Sequence, residues 1–172
     1  KRTALSEIRG LQTERASRLA VPALSDTDEI VRATAAASVI FLPENEARQA
    51  LLPLLADKRP FVRREAAYAL GSVGSRAATG DLRRVMTGDR DLEVRAAAAI
   101  AIGSIGDHSA LDDLLALLSK RPKEEEEFLR RSAARSIGQI FELQFSGDTK
   151  SVTPHNLLPA RFKNSGSVSA PS

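Results

Sequence analysis

The stretch that decides the fold is Val62-Arg63-Arg64-Glu65-Ala66-Ala67-Tyr68-Ala69-Leu70-Gly71-Ser72-Val73-Gly74. Its skeleton is an apolar residue, an arginine, two variable positions and an Ala-Ala pair, closed by two glycines. The skeleton returns as Val31-Arg32 with Ala35-Ala36, Val94-Arg95 with Ala98-Ala99, and Leu129-Arg130 with Ala133-Ala134. The arginines are spaced 31, 32 and 35 residues apart. A degenerate earlier copy begins at Lys1-Arg2. An acid stands six positions before each of the four arginines: Asp26, Asp57, Asp89 and Glu124. The glycines recur as Gly103 and Gly106. Gly138 keeps the first of the pair, while Ile40 and Pro43 fill both places in the first full copy. A fixed period of this length marks stacked repeats, in which each unit buries its apolar face only against its neighbours.

A second set of apolar segments lies between the motifs, at residues 16–24, 47–55, 81–86 and 110–118, with Pro22 and Pro53 at equivalent places. Each unit therefore reads as helix, turn, helix, with about 8 to 12 residues per helix. The alanine runs favour helix. No sustained alternation marks a strand, and aromatics are only 4% of the chain.

The Asp-x5-Arg-x2-Ala-Ala-x3-Gly series resembles HEAT repeats, most closely their short phycobilisome-lyase-type variety, over residues 1–143. Ankyrin repeats would need Thr-Pro-Leu-His, and tetratricopeptide repeats need anchor residues missing from this chain. The resemblance implies an all-α fold. It would be a right-handed α-solenoid, a superhelix of about four to five helical hairpins, over residues 1–145. An irregular polar tail would follow at 146–172.

Counting from the first apolar residue as position 0, a helical step of about 100° puts positions 0, 4, 8 and 11 on one side. In the second full copy these are Val62, Ala66, Leu70 and Val73, which are expected in the core. The repeated glycines are expected to allow close helix approach or to form left-handed caps. Met86 and the six phenylalanines are expected to pack the core. The resemblance implies a structural ladder of Asp26, Arg32, Asp57, Arg63, Asp89, Arg95, Glu124 and Arg130. Each acid would cap a turn, and each arginine would bridge to the acid of a neighbouring unit. Repetition itself argues for structure, because an active site is needed once.

Other chemistry is thin. The chain has no cysteine, which excludes disulfides, thiolate nucleophiles, cysteine-zinc sites and iron–sulfur clusters. Two histidines cannot build a His-rich metal site alone. The acidic run at 124–127, behind Pro122, reads as a solvated first helical turn rather than a metal cluster. Asp107-His108-Ser109 holds triad letters, but three adjacent residues cannot align a nucleophile, base and orienter. Ser109 with Asp112 reads there as a capping box. No catalytic residue, metal or cofactor is expected, and the chain is read as a non-enzyme. The net charge is +3, too small to announce a nucleic-acid binder. No run approaches the roughly 18 apolar residues of a membrane span. The compartment stays open.

The functional reading rests on the side of the motif helix opposite the core. Position 2 gives Thr3, Ala33, Arg64, Ala96 and Arg131; position 6 gives Glu7, Ala37, Tyr68, Ile100 and Arg135. The resemblance implies that this helix lines the concave side of the solenoid. Arg64, Tyr68, Ile100, Arg131 and Arg135 are the candidate binding residues, an apolar centre of Ala37, Tyr68, Ala96 and Ile100 flanked by arginines. Tyr and Arg are the types enriched at interface hot spots. The leading function is a non-catalytic scaffold that holds a protein or peptide, including an acidic one. The alternatives are nucleic-acid binding through the arginines and, by analogy alone, a lyase-like accessory subunit. In the tail, Leu157, Leu158 and Phe162 lie on a segment at 152–162 that could cap the last repeat or dock a partner; 165–172 reads as a flexible end. The chain reads as part of a longer solenoid or complex, with an exposed apolar first edge at Leu5 and Ile8.

Overall fold

The computed structural model describes residues 1–119, 121 and 123–146. The segment at 152–162, His155 and Pro122 lie outside the described residues. Nine α-helices run through these residues, with no strand among them. The motif helices are α1 (Arg2–Leu11), α3 (Glu29–Ser38), α5 (Pro60–Val73), α7 (Leu92–Ile105) and α9 (Glu127–Ser146). Between them run α2 (Glu14–Ala20), α4 (Glu44–Leu51), α6 (Thr79–Gly88) and α8 (Leu111–Ser119). The result is an all-α solenoid of two layers.

The motif helices form one continuous row, α1 on α3, α3 on α5, α5 on α7 and α7 on α9. The other helices form the outer layer, each seated on the motif helix that follows it. The outer helices touch one another sparsely at most. Positions 0 and 4 of the motif are buried in all four copies and position 8 in three, while Ile137 and, at position 11, Val73 are half-buried. Val62, Ala66 and Leu70, and likewise Ala98 and Ile102, have no solvent exposure.

Local chemistry sets the helix ends. The Asp28 carboxylate accepts hydrogen bonds from the N–H groups of Ile30 and Val31, and Asp91 does the same for Glu93 and Val94. These are N-caps that satisfy otherwise orphaned donors. Pro22 and Pro53 sit near the start of short 3-10 turns, Val21–Ser25 and Leu52–Ala56, that close α2 and α4. Proline lacks the N–H that a continuing α-helix would need. At the start of α8 the capping acceptor is Asp107, bonded by the Ser109 N–H at 3.0 Å. The expected Ser109–Asp112 box is therefore replaced by its upstream neighbour.

The two glycines of the motif divide the two expected roles between them. A Cβ on Gly71 would lie 2.7 Å from Ala101 Cα, and one on Gly103 would lie 2.6 Å from Ser136 Oγ. The first glycine thus lets adjacent motif helices come together at backbone distance. The second, Gly74 or Gly106, ends its helix in the left-handed region at φ 75° and 72°. The first full copy has neither glycine. Its helix α3 is 10 residues long, whereas α5 and α7 are 14.

The acid and arginine of the motif meet across units. Arg32 donates from Nε and Nη2 to Asp57 at 2.8 and 2.9 Å, and Arg63 donates to Asp89 at 2.7 and 2.8 Å. Each arginine also donates from Nη1 to the backbone carbonyl of the acid six positions before it, Asp26 or Asp57. The acids brace their own turns: Asp57 accepts from the Arg59 N–H and Asp89 from the Asp91 N–H. In the degenerate copy, Lys1 takes the arginine's place opposite Asp26 at 2.6 Å, and Arg2 pairs with Asp28.

The ladder changes at the fourth unit. Glu124 stands exposed on the 3-10 turn Glu124–Glu126, and the ion pair of Arg95 is with Glu126 at 3.8 Å. The longer 35-residue spacing carries extra residues in this loop, so the acid at the six-before position swings out. Arg95 instead donates to the Met86 carbonyl, and Arg130 to the carbonyls of Leu117 and Leu118. Both now cap the end of their own outer helix.

Two further expectations are corrected. Leu5 is buried against the rest of the stack, and Ile8 is half-buried, because α1 packs on α3. The phenylalanines divide: Phe41 is half-buried, whereas Phe61, Phe128 and Phe141 are exposed.

Burial pushes the Asp57 and Asp89 carboxyls up, but hydrogen bonds from Arg32 and Arg63 and from backbone N–H groups outweigh it. Both end below their ordinary 3.8. The stability from a depressed folded-state pKa is complete above the unfolded value and disappears as pH falls through the folded one. Urea midpoints should therefore fall as pH drops below 3.8, and less so in a double variant lacking the Arg63–Asp89 pair. Arg63→Ala alone strands a buried carboxylate and should cost about 3–5 kcal/mol at neutral pH. Gly103→Ala should destabilise by about 1–3 kcal/mol through overpacking. Gly138→Ala, where an added Cβ meets nothing within 4 Å, should stabilise by about 0.5–1 kcal/mol. Chemical denaturation of both glycine variants checks the contrast.

Candidate functional site

The solvent side of the motif row is built from the same register in successive helices. Position 6 contributes Ala37, Tyr68, Ile100 and Arg135 from α3, α5, α7 and α9. Ala37, Tyr68 and Ile100 are half-buried and Arg135 is exposed. These four share one register of successive motif helices that pack side by side. Position 2 is less uniform: Arg64 is half-buried and Arg131 exposed, but Ala33 and Ala96 are buried. A single-helix wheel treats position 2 as free. In the stack, the adjoining helix closes over a side chain as short as alanine. The apolar centre is therefore Ala37, Tyr68 and Ile100, without Ala96.

The structure adds a second row. The residue just before the motif's apolar position is Ile30, Phe61, Glu93 or Phe128. Ile30 and Phe61 are each 38% exposed, and Phe128 is 49% exposed. On the helical wheel this position lies about 20° from position 6, so the row shares its face. The signal was present in the sequence: three of four copies place a large apolar residue there.

The charges on this face are unequally matched. Arg64 is held at 2.6 Å by Glu93 of the next motif helix and lies 3.3 Å from Glu65. It also stacks on the Phe61 ring at 5.1 Å to the centroid. Arg59 is ion-paired with Glu29. The expected fixed charge at Arg64 is therefore internally neutralised. On α9, Arg131 lies 3.6 Å from Glu127, with both side chains about 70% exposed. Among the arginines named on this face, Arg135 is thus the one without an ion pair among the described residues. Burial raises the Tyr68 hydroxyl above its ordinary value, opposed by nearby Arg64 and assisted by Glu65 and Glu93. It stays a neutral hydroxyl at physiological pH.

Among the described residues no cluster of three or more His, Asp or Glu side chains could hold a metal ion. The acidic turn at Glu124–Glu126 is solvated apart from the half-buried Glu126. No described helix is long and apolar enough to cross a membrane.

The exposed second row should be dispensable for folding. Leu129→Ala, at a core residue with 2% exposure, should cost about 2–5 kcal/mol. Its neighbour Phe128→Ala should change stability by no more than about 0.5–1 kcal/mol. Melting of the two single variants checks this.

A family model for HEAT repeats matches the chain in three overlapping windows, residues 1–68, 49–138 and 86–153. No curated protein matches the chain.

Proposed function

Because the chain belongs to the HEAT-repeat family, we propose that it is a non-catalytic interaction module that holds a protein segment against the solvent face of its motif row. Proteins built of such repeats commonly bind other proteins along an extended concave surface. Tighter spacing in one layer bends a stack toward that layer, and the layer in close contact is the motif row. This supports a concave motif face. The short period and the glycine pair support placing the chain with the phycobilisome-lyase-type repeats within the family.

The observation that carries the reading is the recurrence of exposed Ile30, Phe61 and Phe128 at one register, on the same helical-wheel face as half-buried Tyr68 and Ile100. Single exposed apolar residues are ordinary on a protein surface, but their recurrence at one register of successive helices favours a binding face. Aromatic and arginine side chains are the usual anchors of such sites. Arg131 and Arg135 favour a partner that carries carboxylates. Against nucleic acid stand Glu29, Glu65, Glu93 and Glu127, which pair with arginines of this face and leave it little net positive charge for a phosphate chain.

The test is a nuclease-treated pull-down from source lysate, with a photo-reactive residue at position 128. The double variant Tyr68→Ala/Ile100→Ser, matched in helicity and melting, serves as control. A protein that crosslinks through position 128 and is lost from the double variant is expected. Capture that is identical for both proteins rejects the motif face as the site. Binding to an oligonucleotide that collapses with added salt would transfer the function to nucleic acid, because counterion release sets that slope.

A further inference from the structure

We infer that the motif face takes one extended peptide running across the helices, with two apolar side chains over Tyr68 and Ile100 and an acidic side chain at Arg135, each three residues from the last. The inference rests on the interaction-module reading above and deepens it.

The first support is spacing. Tyr68, Ile100 and Arg135 occupy one register of three consecutive motif helices, α5, α7 and α9. Packed helices stand about 8–10 Å apart. A polyproline II strand advances about 9.3 Å in three residues and returns its side chain to the same side. Every third side chain of such a peptide therefore meets the next helix. A β-strand would turn its third side chain away, because its period is two.

The second support is what lies between the two rows. A bound helix is about 10–12 Å wide, so it would need the strip that separates position 6 from Phe61 and Phe128. That strip is occupied. Arg64 stacks on Phe61, reaches across to Glu93 and lies beside Glu65. Glu93 itself takes the second row's place on α7, so a wide ligand would meet this charged cluster, whereas a thin extended chain needs only the position-6 row.

The third support is charge. Arg59 and Arg64 already have carboxylate partners from neighbouring helices. Arg135 has none among the described residues, and Arg131 has only a loose, exposed one. The peptide's acid is thus placed at one end of the row, and the apolar residues over the electrically matched part. Ala37, next in the register on α3, leaves room for a large further side chain.

The experiment pans a random displayed peptide library against the whole chain and against the variants Arg135→Glu and Ile100→Ser, each checked for unchanged melting. The expected winners carry two apolar residues and an Asp or Glu at three-residue intervals, in either chain direction. A synthetic winner whose acid is changed to Lys should bind about tenfold more weakly, and Arg135→Glu should abolish that preference. Winners that depend on Ile100 but lack the spaced acid overturn this inference and leave the interaction-module reading standing. Winners indifferent to Ile100→Ser overturn both.

Discussion

The motif row has no room for one more carbon atom at its tightest points. A Cβ on Gly71 or Gly103 would enter the backbone or side chain of the next motif helix at 2.7 or 2.6 Å. That contact joins α5 to α7 and α7 to α9. It makes the motif row the close-packed layer there. It also brings position 6 of one helix beside position 6 of the next, which is what turns isolated residues into a row. The alanines at positions 4 and 5 serve the same approach, since Ala66, Ala67, Ala98 and Ala99 have no exposure at all.

The arginine ladder works on a different constraint. Taking a charged pair out of water costs much of what the pair's attraction returns, so a buried ion pair is weak evidence of net stability. Its worth here is geometric. Arg63 grips the carboxylate of the next unit with two donors and a carbonyl of its own unit with a third. A slip between units would strand a charge with side-chain exposure of only 6% or 8%. The ladder thus sets the order and register of the units, while the glycine contact sets their distance. Where the loop lengthens before α9, the ladder gives way to carbonyl capping, yet α7 and α9 stay packed.

The fold was legible in the sequence because a solenoid has only local contacts. Each unit meets its two neighbours, so one period repeated four times contains nearly all the packing information. The candidate site was legible in part. Position 6 followed from the helical wheel. Phe61 and Phe128 were misplaced in the core because large apolar residues are usually inside, a rule that does not run in reverse. Ala96 was misplaced on the surface because a wheel sees one helix, and burial at position 2 comes from the helix beside it.

By itself, the sequence determined the helices, their order, the repeat and the pairing of an acid with an arginine in each unit. These depend on turn chemistry, helix propensity and a period, all carried along the chain. Only the tertiary structure decided which acid each arginine reaches and which exposed side chains line up. Arg63 has Asp57 six residues away and Asp89 twenty-six residues away, and it takes the carbonyl of the first and the carboxylate of the second. Arg64 and Arg131 share position 2 of the motif, yet one is held at 2.6 Å by Glu93 of the next helix and the other lies 3.6 Å from Glu127 of its own helix. Charge balance on a face is a sum over neighbouring helices, and that sum exists only once they are stacked.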